Sequence, residues 1–264
     1  MTNSTLIDRG ETPGLLEPLL PAEESPYWAP LAEKVKHLTD ASAGLERQLT
    51  LLDRETRLAI ETKAFAREIR ASWEIERESA SGADIAAARS AMDGLRDTPW
   101  PSPEYLVKAH SALFPSQRGL RVVDVSVGRH VAPSPGSLSR LLAHLERGYG
   151  RPGRIGRMLG VAAGHHRLNW CHPFLDGNGR VARLVACAGL RKALPGAGAW
   201  SLSEGLLARR EDYLRLMALA DEPRRGDRDG RGHLSEARLV SFIGFMLEVA
   251  EERIAVASAA LTEG

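Results

Sequence analysis

The stretch on which the reading turns is His172-Pro173-Phe174-Leu175-Asp176-Gly177-Asn178-Gly179-Arg180-Val181-Ala182-Arg183. Asp176-Gly177-Asn178-Gly179 disfavours helix and suits a tight loop, because glycine tolerates positive φ and leaves its amides bare. A helix is expected directly after it, over 179–193. A glycine-rich loop feeding a helix N-terminus turns several N–H groups toward one point, and the helix dipole adds to their pull on an anion. Arg180 and Arg183 fall three residues apart in the first turn, where positive side chains oppose the dipole. Two of them there point to a bound polyanion, whose oxygens suit guanidinium groups. Asp176 offers a hard oxygen ligand at the edge of the loop, suited to Mg2+ that also binds substrate phosphates. His172 can take a proton near neutral pH, and Phe174 reads as the anchor of the loop in the core. A base, a metal ligand, an anion nest and two arginines are the parts that phosphoryl or nucleotidyl transfer requires. Taken singly, a His is more often structural, an Asp-Gly-Asn-Gly a turn and an Arg pair a solvated surface. Their joint order and spacing carry the reading.

Around this segment the chain has the composition of a soluble globular protein. Its 264 residues are 43% hydrophobic and 26% charged, enough for one large domain or a core with an accessory part. The 35 basic and 34 acidic residues leave a formal charge of +1, so no general basic excess argues for direct nucleic-acid or acidic-lipid binding. Cys171 and Cys187 are too few for a disulfide scaffold and lie among small apolar residues, which reads as core filler. Cys171 adjoins the motif, which leaves a redox effect open. No apolar run is long enough to span a bilayer. Residues 1–11 are polar and lack a signal-peptide pattern, so a cytoplasmic protein is expected.

Residues 1–25 read as an extended arm whose Leu15, Leu16, Leu19 and Leu20 dock elsewhere. Leu31, Val35 and Leu38 begin a helical pattern, and Asp40 or Ser42 is placed to cap a second helix through Leu45, Leu49 and Leu52. The stretch 55–79 has no Gly or Pro and predicts a third helix. Asp84 is placed to cap another, through Ile85, Met92 and Leu95. Pro101 and Pro103 mark a break, followed by a helix over 105–114. In 121–131, Val123, Val125 and Val127 alternate with polar residues, which predicts a half-exposed strand. Helices are expected over 138–148 and 154–170, and another from a Ser203 cap through Leu214 and Leu219. A polar loop at 221–233 precedes a last helix over 235–260. The chain is therefore expected to be mainly α, with one short β-hairpin.

The segment 172–183 resembles, without a mismatch, the signature HxFx(D/E)GNGRxxR of Fic-domain proteins. The resemblance extends more loosely over about 100–250. It implies a Fic-fold helical bundle whose motif loop joins two central helices, with a domain division of 1–25 (arm), 26–98 (N-terminal helical region) and 99–264 (catalytic domain). It implies an activity: transfer of AMP from ATP to a Ser, Thr or Tyr hydroxyl of a target protein, with self-modification and a homodimer both compatible. His172 would deprotonate the target hydroxyl, Asp176 hold Mg2+, and Gly177, Asn178 and Gly179 form the phosphate nest. Arg180 would grip the outer phosphates and Arg183 the γ-phosphate. The segment 120–131 would be the flap that clamps the target, and Tyr213 would either pack against the adenine or simply fill the core.

Many such proteins also carry an inhibitory helix with the pattern (S/T)xxxE(G/N). Ser72-Trp73-Glu74-Ile75-Glu76-Arg77 matches it at Ser72 and Glu76 and departs from it at Arg77. The resemblance implies that Glu76 pairs with Arg183, so the two compete as carboxylate and γ-phosphate for one guanidinium. Relatives that transfer phosphate carry a larger residue and Lys where this chain has Gly179-Arg180. Removal of AMP from a target, and nucleotide binding with little turnover, stay open as alternatives. Two decoys are set aside. The loop starting at Asp227 has Arg231 and Arg238 where a calcium loop needs oxygen ligands. His165, His166 and His172 have no zinc-site spacing.

Overall fold

Leu31, Val35, Leu38, Ser42, Leu45 and Leu49 recur at helical spacing and are all buried, which defines α1 as one helix, Trp28–Leu49. The computed structural model describes residues 6–93, 95, 100–150 and 153–263. The predicted break at Asp40 or Ser42 does not occur. Asp40 is exposed mid-helix, and the buried Ser42 hydroxyl donates to the Pro195 carbonyl across the core instead of capping a turn. Next comes α2, Arg54–Ile75, capped by Asp53, whose side chain accepts from the Thr56 amide. It stops four residues short of the predicted end. In α3, Gly82–Asp93, the cap is Ser81 rather than Asp84: the Ser81 hydroxyl accepts from the Asp84 amide and Asp84 returns a bond to the Ser81 amide. Leu95 lies beyond it in a turn. Ser102 caps α4, Pro103–Leu113.

The predicted strand at 121–131 shrinks to an antiparallel hairpin, β1 (Ser126–Val127) against β2 (His130–Val131). Val122, Val123, Val127 and Val131 are exposed. The Val123 carbonyl accepts from the buried Arg121 guanidinium rather than from a neighbouring strand, and the same guanidinium reaches the carbonyls of His172 and Pro133. The remaining helices are α5 (Leu138–Tyr149), α6 (Arg154–Cys171), α7 (Asn178–Ala193), α8 (Leu202–Ala208), α9 (Arg210–Leu219) and α10 (Glu236–Thr262). The cap expected at Ser203 is Ser201, and what read as one helix is two, broken at Arg209. Ser203 is consumed elsewhere: with Ser201 it binds the buried Glu68 carboxylate of α2. That acid sits at the N-terminus of α8, where the dipole favours it.

The protein is thus mainly α-helical. The long α10, about 40 Å at 1.5 Å per residue, packs against α1, α6, α8 and α9. At the centre α6 and α7 lie against each other and carry the motif loop between them. The arm docks as expected: Leu16 and Leu19 are buried, with a short 3-10 turn at Pro13–Leu16. Residues 1–5 of the arm, and the boundary expected at 98/99, lie outside the described residues. Phe65, Ile69, Trp73 and Ile75 bury one side of α2, each such side chain contributing about 1.5–3 kcal/mol. Sliding α2 would expose them, so its C-terminal end is held beside α7. Among the described residues, no helix is long and apolar enough to cross a membrane.

Candidate active site

α6 ends at Cys171, and His172 caps it with φ +45°, a left-handed conformation uncommon for a residue with a side chain. Its amide still donates back to Leu168 and Asn169. Its carbonyl accepts from Arg121 Nε at 2.7 Å, and the Arg121 amide donates to the Pro173 carbonyl at 2.9 Å. Arg121 Nη1 and Nη2 reach the carbonyls of Val123 and Pro133, so one buried cation ties both ends of the hairpin segment to the motif. Burial first, then the positive charge of Arg121, hold the His172 pKa below the ordinary histidine value. The imidazole is therefore neutral at pH 7, as a general base must be.

The loop beyond is clamped from within. Asn178 Oδ1 accepts from the Phe174 amide at 3.0 Å and Nδ2 donates to the Phe174 carbonyl at 2.9 Å. Its side chain thus closes the loop and leaves phosphate binding to backbone amides. Phe174 is buried and stacks on His110 with ring centroids 3.9 Å apart. His110 Nε2 lies 3.0 Å from the Asp176 carbonyl. Gly177 has φ +80°, and a Cβ there would run into the Phe114 ring, so glycine is required on both counts.

Both motif arginines are buried and both are engaged. Arg183 Nε donates to Ser72 Oγ at 2.8 Å, and Nη2 to the Ser72 carbonyl at 2.8 Å and Glu76 Oε1 at 2.7 Å. Arg180 Nη2 meets both oxygens of Asp176 at 2.9 and 3.0 Å, and Nη1 meets Glu78. The Arg180 guanidinium also lies 4.5 Å from the centroid of the Phe114 ring.

The turn that ends α2 delivers these acids. Glu76 is the cap rather than a helical residue, Arg77 has φ +63°, the Arg77 amide donates to the Glu74 carbonyl and the Glu78 amide to the Trp73 carbonyl. This pair of bonds is a Schellman motif, whose left-handed position favours Gly or Asn. The G/N of the inhibitory pattern is thus a backbone requirement, met here by an arginine at a cost in strain.

A cavity of about 280 Å³ is lined by Glu76, His172, Gly179, Tyr213, Met217 and Asp221, with the hairpin residues Val127 and His130 at its edge. Tyr213 is buried, and its hydroxyl lies 2.8 Å from His165 Nε2. It both fills the core and walls the cavity. The structure therefore brings Ser72, Glu76, His172, Asp176, Gly177, Asn178, Gly179, Arg180, Arg183 and Tyr213 into one neighbourhood. Sequence reasoning missed Arg121, His110 and the pairing of Glu78. Glu78 was visible as an acid near Glu76, but nothing local distinguished it from a solvated one. Cys171 and Cys187 are buried free thiols whose pKa burial pushes up to about 12, which makes them inert filler.

Residues 100–190 match the model of the Fic/DOC family. A stretch of 64 residues, 24% of this chain, is 39% identical to protein adenylyltransferase Fic of Drosophila yakuba. The Drosophila melanogaster protein of the same name is 38% identical over 64 residues. These matches span 13% of the relatives' own length. Among solved structures, a Fic family protein from Desulfovibrio desulfuricans superposes with a TM-score of 0.67 at 22% identity, covering 91% of this chain and 77% of that one. A Fic domain containing signaling protein from Bacteroides thetaiotaomicron gives 0.61 at 15% identity, over 87% and 98%. These two likenesses establish the fold.

Proposed function

We propose that this chain, a Fic-domain protein, is a protein adenylyltransferase whose ground state is held closed by the C-terminal turn of α2. ATP would lie in the cavity with its phosphates against the N-terminus of α7, where the amides of 177–179 converge and the dipole favours anions. A Ser, Thr or Tyr hydroxyl of a target protein, presented along the hairpin region 120–131, would lose its proton to His172. The hydroxyl oxygen then bonds to the α-phosphorus as the bond to pyrophosphate breaks, leaving AMP on the target and the proton on the imidazole. Arg180 and Arg183 would neutralise the charge gathering on the departing phosphates. The observation that supports this reading best is that a neutral, strained His172 and the glycine-lined start of α7 border one cavity.

The donor set fits Mg2+. Asp176 is half exposed and close to the nest, and this ion typically takes one or two carboxylates and completes its shell with phosphates and water. When bound, it would offset negative charge on the phosphates. In the closed state Arg180 and the Gly177 amide occupy the Asp176 oxygens instead.

Closure rests on competition. Glu76 holds the guanidinium edge of Arg183 that a γ-phosphate would need, and Glu78 does the same for Arg180. Glu76 and Glu78 are 38% and 49% exposed at the side chain. Solvent screening discounts both pairs, to about 1–2 kcal/mol for Glu76 on a buried arginine and under about 1 kcal/mol for Glu78. Glu76→Gly should therefore raise ATP affinity and self-labelling about 5- to 30-fold, Glu78→Ala only a few-fold, and His172→Ala should abolish labelling in either background. Equal labelling by wild type and Glu76→Gly would remove the brake, and strong labelling by His172→Ala would remove the base. A second reading, AMP removal from a modified target, is favoured by one feature: the Glu76 carboxylate lines the same cavity as His172 and is placed to orient a water. Mass spectrometry separates the two, as a gain of one AMP with ATP or a loss of AMP from modified protein.

A further inference from the structure

Arg167, on α6, is fully buried, and among the described residues no carboxylate pairs with it directly. Its Nη2 donates to the Pro18 carbonyl at 2.8 Å, and its Nη1 lies 2.8 Å from His166 Nδ1. A guanidinium only donates, so His166 Nδ1 must carry a lone pair and the ring proton must sit on Nε2. Burial, the largest influence on the His166 pKa, lowers it and keeps this tautomer neutral. Nε2 in turn lies 3.0 Å from Asp221 Oδ1 and 3.2 Å from the Met217 carbonyl. A buried cation thus orients an imidazole, and the imidazole holds one oxygen of a carboxylate.

That carboxylate belongs to the cavity. Asp221 lines it together with Met217 and Ala218, and the neighbouring walls are Leu214 and Trp170. Glu76 and Gly179 mark the phosphate end, since the Glu76 carboxylate and the Arg183 guanidinium both lie against Gly179 at the start of α7. Asp221 lies elsewhere on the wall, in the turn two residues beyond the end of α9. A carboxylate repels phosphate, so this end suits the nucleoside. Flat apolar walls suit a base, and an acceptor-only group among them needs a donor on that base.

Resting on the nucleotide-transfer reading above, we infer that Asp221, positioned by His166 and Arg167, selects the base by accepting a hydrogen bond from the 6-amino group of adenine. A base with a carbonyl at that position would set acceptor against acceptor and be rejected. With Oδ1 already facing His166, one outward oxygen meets one amine. Guanine would need both oxygens side by side.

The test is equilibrium binding of ATP and ITP, which differ at C6 (amine against carbonyl) and at N1 (bare against protonated), to the Glu76→Gly protein by calorimetry. ATP should bind about 10- to 100-fold tighter, the range for a hydrogen bond to a charged group. Adding Asp221→Asn should bring the ratio toward one, because the amide can donate to the carbonyl. His166→Gln, which can accept from Arg167 and donate to Asp221, should keep most of the ratio, and His166→Phe should lose it. A loss of overall affinity with the ratio intact would overturn the inference, as would equal binding of ATP and ITP or tighter binding of GTP. In each case nucleotide binding itself would stand. Failure of any nucleotide to bind Glu76→Gly would overturn the transfer reading along with this one.

Discussion

Arg77 sits at φ +63° in the turn that carries Glu76 and Glu78 to the motif arginines. A side chain in this conformation costs roughly 1–2 kcal/mol relative to glycine. Glycine gives back about 0.4–1 kcal/mol through its greater freedom once the turn is released. The difference, on the order of 0.5–1 kcal/mol, should favour the closed turn in Arg77→Gly by about 2- to 5-fold. The expected result is counterintuitive: removing an exposed arginine that touches neither motif arginine weakens ATP binding by that factor and slows amide exchange at Glu78. Arg77→Ala removes the charge but keeps the Cβ, so it should leave affinity near wild type. In the Glu76→Gly background, where closing the turn leaves only the weaker Glu78 pair on Arg180, Arg77→Gly should have a smaller effect. Fluorescent-nucleotide titration of these five proteins reads the whole cycle. Tighter ATP binding by Arg77→Gly, or an equal loss in both backgrounds, would refute the idea that backbone strain at this turn sets the closed population.

Two further outcomes follow from the ionisable groups. Burial and Arg121 lower the His172 pKa from 6.5, and in the proposed reaction the neutral form would be the base. The acid limb of the rate in Glu76→Gly should therefore lie below pH 6.5 with a plateau by pH 7, and a limb above pH 7 would contradict the assignment. Glu11 accepts from the Ser134 amide at 2.8 Å and from its hydroxyl. Burial alone would raise its carboxyl, but these bonds and Arg9 outweigh that and hold it at about 2, from 4.5. A depressed carboxyl contributes stability above its unfolded pKa and loses it as pH falls through the folded one. The arm should thus stay docked above about pH 4.5 and release toward pH 2. Glu11→Gln at pH 7 should cost on the order of 3 kcal/mol of arm docking, measured as faster amide exchange at Ser134. Unchanged exchange would show that the Glu11 carboxylate does not hold the arm.

Local rules reached far into this molecule because helix periodicity is local. The spacing of Leu31, Val35, Leu38, Leu45 and Leu49 predicts a buried face whichever way the helix packs, and the Gly-rich run before α7 predicts a loop, which Gly177 makes at φ +80° against the Phe114 ring. The order of base, acid, glycines and arginines in 172–183 carries the chemistry of the candidate site without any coordinates. Caps and strands were less legible. Ser42 and Ser203 have the chemistry of helix caps but spend their hydroxyls on Pro195 and Glu68, partners 153 and 135 residues away, and such competition leaves no trace in a local pattern. Arg121 likewise takes the Val123 carbonyl while reaching His172, 51 residues away.

The pairing of Ser72 and Glu76 with Arg183 lies between these cases. The chain supplies acids and arginines over a hundred residues apart, and many exposed acids in it look alike. Which of them meet is decided by the seat of α2 against α7, fixed by burial of Phe65, Ile69 and Trp73, and by the left-handed turn at Arg77. Sequence alone determined which chemical groups the motif offers, because that depends on residue types a few bonds apart. Only the tertiary structure decided that its two arginines are already bound, because a salt bridge depends on distance in space and not on distance along the chain.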